Sequence, residues 1–531
     1  MVTHELGCTL LKTIFIVDRA QMLDHARSNQ TWTTAVAALA CFLMTLDITV
    51  VNVALPSIQK DLGASLEGLQ WVVNAYVLAF AALLLTVGSV SDRLGRKRLF
   101  LTGVAVFTVA SALCVASRTE SPLIAARALQ GIGGALVFGT CLALIADAYT
   151  DAEEEQRRKA VGLAMAAGAA AATLGPLIGG GLVEIGTWQW IFAINVPVGV
   201  ALAICTALKV REPHAPHAAD NSRVDSVGAV VAIVVLFALN YGLLTGAAKG
   251  WGRGDVLAAL AIGLAGGVGF VLHQLRRGSE ATLDLTLFRI PTFLAAIVLG
   301  FTVRALSFGV FPFLILWLAG AHGRSAFDIG LILSALALPL MVCAVLSTSV
   351  ARAVGVRATM SIAMVITAAG LFLATLIRGD GSWTTILPAL AVLGVGNGVA
   401  MPHLMNLAVD VVPSNKAGMA TGAANTAFPL GTATGVAAFG VVLSSFVHAK
   451  VAASGVIPVH SADSVASAIV AGVLRFPTQA MTAFATSAFT DALRLIFGIA
   501  GCAALVAAGL SGALITHRPR VAAESPESVT E

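Results

Sequence analysis

Fourteen stretches of about 20 largely apolar residues, separated by short polar loops, constrain this chain more than any other feature. A helix of about 20 apolar residues is what crosses the hydrocarbon core of a bilayer. The stretches lie near 34–55, 71–91, 99–117, 123–146, 160–184, 189–209, 226–246, 255–275, 292–319, 329–350, 358–377, 384–411, 416–447 and 492–515. Composition points the same way. The chain has 531 residues, 58% hydrophobic and 11% charged, against about 25% charged in an average soluble protein. Its mean hydropathy is +0.90. No globular core hides this much apolar sequence, so the expected fold class is an all-α integral membrane protein with fourteen transmembrane helices.

The loops orient the spans. Cytoplasmic loops carry an excess of Lys and Arg. With both termini on one side, that side collects 21 of the 32 basic residues and the other side eight. Both termini are therefore expected in the cytoplasm, which an even number of spans allows. Residues 1–33 read as a cytoplasmic tail with at most a short amphipathic piece on the membrane surface. Lys12 breaks the apolar stretch there, no cleavage site follows, and Met22 is an alternative start. The stretch 448–490, with Pro458 and Pro477, reads as a long hairpin on the outer side. The net charge of +4 is spread over short loops and gives no reason to expect nucleic acid. Seven scattered cysteines show no CxxC spacing, so neither a zinc site nor a disulfide framework is indicated.

Two parts of the chain echo each other. Gly131 stands 16 positions before Asp147, and Gly394 stands 16 before Asp410. Gly162 and Gly175 are 13 apart, as are Gly418 and Gly431, and each second glycine is followed four residues later by another, Gly179 and Gly435. Matched spacings argue for two related halves, a frequent transporter plan with a central site between the repeats.

Asp47 lies in the middle of the first span, beside Thr49, Asn52 and Pro56. A carboxylate at that depth is costly unless it meets a partner or a water-filled cavity, which makes it a functional candidate able to bind a proton or attract a cation. Arg127 lies a few residues inside span four. Counted from the same face, the two depths differ by only about 5 Å at 1.5 Å per residue. Arg127 either pairs with Asp47 and sets how readily it takes a proton, or extends to the outer interface. Between spans two and three, Gly88, Asp92, Arg93, Gly95, Arg96 and Lys97 form a turn motif. Its glycines permit a tight turn and its cations anchor the positive side. Asp92 is placed to engage a helix terminus or a cation in the facing half in one conformation only.

Span five carries Gly175-Pro176 and Gly179-Gly180 among many alanines. Small residues let another helix approach closely and the proline frees a carbonyl, as a hinge requires. Arg304, His403, Asn406 and Asn425 are polar residues inside spans that either line a cavity, with Asn52, or are satisfied locally. The phosphate-binding GxxxxGK[ST] pattern is absent, so no nucleotide is expected and energy must come from an ion gradient or a separate subunit. No catalytic constellation is visible, and the chain is not read as an enzyme.

These residues resemble the major facilitator superfamily, and in particular its fourteen-span drug:proton antiporters. The resemblance covers the chain from Thr34 to about Thr516. It is carried by the run from Leu46 to Pro56, by the loop from Gly88 to Arg98, by Arg127 to Gly134, by Gly175 to Gly180, and by the opening of span six from Trp188 to Pro197. Two departures are visible: Ala171 replaces a glycine of the span-five motif, and the second copy of the turn motif, Val350 to Gly355, lacks its acid.

The resemblance implies two six-helix bundles, 34–210 and 291–516, joined by a linker, 211–290, with two extra spans, and a cytoplasmic tail at 517–531. It implies export of amphipathic organic compounds, often drugs or antibiotics, by alternating access against proton entry, with Asp47 as the proton-carrying acid and no cofactor beyond the proton gradient. The expected place is a bacterial plasma membrane, and the expected partners are lipid, protons and a small-molecule substrate. The alternatives are a dedicated exporter of an endogenous metabolite, siderophore or lipid precursor, and a transporter-like receptor that moves nothing.

Overall fold

The structure, a computed structural model, describes residues 2–150, 154–211, 225–277, 284–379, 381–413, 417–454 and 459–515. Side chains before Ser28, and those of Gly88, Ser89, Asp92 and Arg93, lie outside the described residues. The described chain is helical, without strands. In order the helices are α1 (Val2–Leu62), α2 (Leu66–Leu94), α3 (Arg96–Ala116), α4 (Glu120–Ala148), α5 (Glu154–Ile185), α6 (Trp190–Ala193), α7 (Asn195–Lys209), α8 (Ser226–Lys249) and α9 (Gly254–Arg277). They continue as α10 (Pro291–Phe308), α11 (Phe311–Gly320), α12 (Ala326–Val354), α13 (Val356–Ala374), α14 (Ile386–Asp410), α15 (Ala417–Ala453), α16 (Val459–Val470) and α17 (Gln479–Leu514).

Among the described residues 13 helical stretches are long and apolar enough to cross a membrane, and α8 adds a shorter apolar core, Val230–Gly246, where the fourteenth span is expected. Two spans are built in pieces: α6 and α7 join as Trp190–Lys209, and α10 and α11 as Pro291–Gly320. The result is six spans from α1 to α7, two linking spans α8 and α9, and six more from α10 to α17. Helix starts are set by local chemistry. Ser65 accepts from the Gly68 N–H at the head of α2, and Ser325 and Asp328 form a reciprocal capping box on α12.

The sequence repeat is a repeat of packing. A Cβ on Gly131 of α4 would strike the backbone of Tyr76 on α2, and one on Gly394 of α14 would strike the backbone of Leu336 on α12. Gly133 packs on α3 at Phe107, and Gly396 packs on α13 at Thr367. Gly179 of α5 lies against Val50 of α1, and Gly435 of α15 lies against Ala305 of α10. Each half therefore uses matched glycines to bring the same pairs of its spans into backbone contact.

At two places the structure adds helix. The residues expected as a cytoplasmic tail continue into the first span as one helix, α1 from Val2, with no glycine or proline between Gly7 and Pro56. The outer hairpin at 448–490 is mostly helix. α15 runs on to Ala453, α16 follows, and α17 begins at Gln479 under a Thr478 cap.

The buried apolar residues form one cluster shared by both halves and two confined to one half or nearly so. The shared cluster joins Val50 to Ile58 and Leu66 to Val73 with Leu306 to Leu318, Ile329 to Leu336 and Phe439 to Val451. It lies at the end of the bundle remote from the α2–α3 turn. At the opposite, Lys/Arg-rich end, one cluster holds Val36 to Met44 with Leu99 to Phe107 and Ala135 to Ile145. The other holds Leu287 to Val303 with Met360, Met364 and Val399 to Ala408. The halves thus share a core at the far end and keep separate cores at the basic end.

Candidate functional site

Asp47 is fully buried at the centre of the first bundle and accepts three hydrogen bonds. Arg127 Nη1 donates to its Oδ2 at 2.6 Å, while Gln130 Nε2 and Asn195 Nδ2 donate to its Oδ1 at 2.9 and 2.8 Å. All three contacts are given to the carboxylate, the pattern an ionised acid requires because it only accepts.

Arg127 is as tightly held. Its Nε donates to the Val72 carbonyl at 3.1 Å, its Nη1 also reaches Gln130 Oε1 at 2.7 Å, and its guanidinium carbon lies 4.4 Å from the centre of the Tyr76 ring. Gln130 Nε2 passes the network on to Ser111 Oγ at 2.8 Å. Five spans meet here: α1 supplies the acid, α4 the arginine and glutamine, α7 the asparagine, α3 the serine and α2 the ring and carbonyl. Gly131 and Gly134 make the meeting possible. A Cβ on Gly131 would strike the Tyr76 backbone, so α4 approaches α2 there only without one, and Gly134 leaves room for the Tyr76 hydroxyl.

Of the two readings open for Arg127, the geometry is that of the ion pair. Gln130, Asn195, Ser111 and Tyr76 were not singled out from sequence. Gln130 carried a usable signal: it stands three residues after Arg127 and so shares its helix face. Asn195 was not singled out, because which way it points depends on how α7 packs against α1. The Asn195 Oδ1 is buried without a hydrogen-bond partner.

Asn52 does not reach Asp47; its Nδ2 donates at 3.3 Å to the Ile48 carbonyl of its own helix. Thr49 likewise donates to the carbonyls of Thr45 and Leu46. His403 faces α12, where Nε2 lies 3.2 Å from the Ser347 carbonyl. Asn406 is exposed on α14 and Asn425 half-buried on α15. Arg304 lies half-buried on α10 with its guanidinium over the Phe308 ring at 4.8 Å. Among the described residues no three of His, Cys, Asp and Glu gather at one point.

The α2–α3 turn is made by Gly95, whose φ of +90° suits glycine and whose N–H bonds the Ser91 carbonyl. Arg96 pairs with Asp147 at the end of α4 at 2.5 Å and also donates to the Ala143 carbonyl. Lys97 donates to the Ala207 carbonyl at the end of α7. The contact expected of Asp92, and the places of the Gly88 and Arg93 side chains, lie outside the described residues.

The glycines of α5 form a line of close contacts. Thr49 fills the space beside Gly175, Val50 that beside Gly179, and a Cβ on Gly180 would meet the Ala326 carbonyl oxygen of α12 at 2.5 Å. Gly330 of α12 in turn lies against the Pro176 carbonyl. Nearer the basic end the line loosens: Gly168 would make ordinary contact with Thr45, and Gly162 has open space around it. On the other seam, Gln70 and Asn74 of α2 donate to the carbonyls of Val436 and Ala433 on α15, at 2.8 and 3.4 Å.

The comparisons with known proteins agree with this architecture. The Major Facilitator Superfamily profile matches residues 37–303 and again 292–528. The chain is 35% identical over 413 residues to the methylenomycin A resistance protein of Bacillus subtilis (strain 168), covering 77% of this chain and 86% of that one. It is 31% identical over 514 residues to the tetracenomycin C resistance and export protein of Streptomyces glaucescens, covering 93% of each. Among solved structures, a bacterial homologue of the human lysosomal transporter Spinster, inward-facing and unoccupied, superimposes with a TM-score of 0.65 at 16% identity over 92% of this chain and 97% of that one. Two repeated bundles, glycine-matched span pairs and a profile that matches each half in turn lead to one statement: the chain belongs to the major facilitator superfamily.

Proposed function

We propose that this protein exports amphipathic organic compounds, drugs or antibiotics among them, from a bacterial cell by alternating access coupled to proton entry. In this reading it lies in the plasma membrane with both termini in the cytoplasm, so the basic end faces the cytoplasm and the far end the outside. The relatives named for antibiotic resistance and export support the cargo class. The observation that carries the coupling is the buried Asp47–Arg127 pair at 2.6 Å.

The chemistry follows from the donors around the acid. A proton on Asp47 cancels its charge and turns one acceptor oxygen into a donor, in a site where every neighbour already donates. Arg127 then becomes an uncompensated buried cation, a state that costs several kcal/mol, about 3–5 where such pairs are broken by mutation. The network between α1, α4 and α7 must rearrange. α1 carries this change outward, because Thr49 and Val50, within one turn of Asp47, are packed into Gly175 and Gly179 of α5. The adjacent Gly180 holds the contact with α12 that joins the two halves. Protonation therefore acts on the seam through one short run of backbone contacts.

The test is transport by purified protein in proteoliposomes, with an imposed proton gradient and with ethidium and lumenal pH followed together. Gradient-driven ethidium movement with matching proton flux, lost in Asp47→Asn, is the expected result. Movement that persists in Asp47→Asn, or that follows an imposed sodium gradient instead, rejects the proposed coupling.

A further inference from the structure

Arg127 and Arg304 are both arginines set deep in a span, and their surroundings are opposite. Arg127 is matched by a carboxylate, an amide, a carbonyl and a ring. Arg304 has the Phe308 ring alone among its described contacts, and its Nε is buried without a hydrogen-bond partner. A guanidinium carries five donors and does not lose its proton in proteins. Placed halfway along the Pro291–Gly320 span, it is tolerable only where water or an acceptor reaches it.

Its neighbours on α10 show what surrounds it. Leu294, Val298, Phe301, Arg304 and Phe308 are all half-buried and recur every three or four residues. At 100° per residue they fall within about a third of the helix circumference. The rest of α10 is committed to its own half. Gly300 takes the Phe428 ring of α15, and Ser307 donates to Asn397 Oδ1 on α14 at 3.0 Å. The stripe is only partly covered: the backbone at Phe301, and at Ala305 within the same arc, packs on Gly431 and Gly435 of α15, and its half-buried side chains present one cation among aromatic and aliphatic groups. Ser307, three residues after Arg304, bonds Asn397 of α14, which is fully buried and whose Nδ2 has no partner.

We propose that Arg304 is the charge-recognising residue of the transport path and that the preferred cargo is an organic anion. Such a cargo has a flat apolar body to lie along Phe301 and Phe308 and a carboxylate or comparable oxyanion to take the guanidinium in a two-pronged hydrogen bond. This rests on the export reading and narrows its substrate class.

The experiment is calorimetric titration of the purified full chain in detergent with two probes of the same shape, 1-naphthylacetate and 1-naphthylacetamide. Wild type is expected to bind the acid at least tenfold more tightly than the amide. Arg304→Gln is expected to bind the two alike, at the affinity wild type shows for the amide, and Arg304→Lys to keep a preference for the acid. Apparent melting temperatures of the variants separate a lost charge from a lost fold. Equal binding of the two probes by wild type, including no binding of either, overturns the proposal, as does an acid preference that survives in folded Arg304→Gln. The titration uses no gradient, so its failure leaves proton-coupled efflux standing, and failure of efflux in liposomes leaves this preference standing.

Discussion

A Cβ placed on Gly180 of α5 would lie 2.5 Å from the carbonyl oxygen of Ala326 on α12, so the two halves meet there backbone to backbone. Real Cβ atoms do not approach backbone so closely, and neither helix has a flexible side chain to withdraw. Gly180→Val is therefore expected to insert normally but to hold the halves apart at the far end. Spin-label distances across the α5–α12 seam should lengthen relative to wild type, and ethidium efflux should fall at least tenfold. An unchanged distance distribution would remove Gly180 from the seam.

The Asp47–Arg127 pair makes an asymmetric prediction. Asp47→Asn and Arg127→Gln each leave one buried charge without its partner, and each should destabilise by about 3–5 kcal/mol, the usual cost of breaking a buried pair. The double variant removes both charges, so it should recover much of the stability while remaining inactive in gradient-driven efflux. Apparent unfolding temperature and transport, measured on all three, check it. A double variant as unstable as the sum of the singles would mean the two residues do not act as a pair.

Asn195 is the site residue that sequence did not reveal. It gives Asp47 one of its three hydrogen bonds at 2.8 Å. A bond to a charged group contributes about 1.5–3 kcal/mol, so Asn195→Leu should lower the unfolding temperature and cut efflux, while Asn195→Ser, which keeps a shorter donor, should lie between. An Asn195→Leu variant that matches wild type in both assays would exclude Asn195 from the network.

What could be read in advance divides along a physical line. Span count, the glycine spacings and the common depth of Asp47 and Arg127 follow from rise per residue and from the cost of charge in lipid, which a linear sequence carries. The direction of a polar side chain about its helix is fixed by which neighbours the helix packs against. Asn52 and Asp47, five residues apart, differ for that reason: one bonds its own carbonyl ladder and the other draws donors from two other helices. The same holds for Asn195, whose bond to Asp47 depends on how α7 packs against α1. The lack of breakers in α1 was visible, although its continuity to Val2 was not expected.

Asp225 ties the two linking spans together outside the membrane core and gives a pH-dependent prediction. It caps α8 by accepting from the Gly228 N–H at 2.8 Å, and it receives His273 at 2.8 Å and Gln274 at 2.9 Å from α9. Burial pushes its carboxyl up, but the bonds from His273, Gly228 and Gln274 outweigh that and hold it below the usual carboxylate value of 3.8. A depressed folded value means that the stabilisation is complete above the unfolded value and is lost as pH falls through the folded one. The α8–α9 hairpin should therefore hold through the neutral range and loosen only below about pH 4, the ordinary carboxylate range. Asp225→Ala removes the cap, worth about 1 kcal/mol, together with the links to His273, Gln274 and Arg277 of α9, and should flatten this acid limb. Hydrogen exchange of the first turn of α8, followed from about pH 7 down to about pH 3 in wild type and variant, spans the range in which a carboxylate titrates. Exchange that accelerates equally in both as the pH falls would show that another group controls the hairpin.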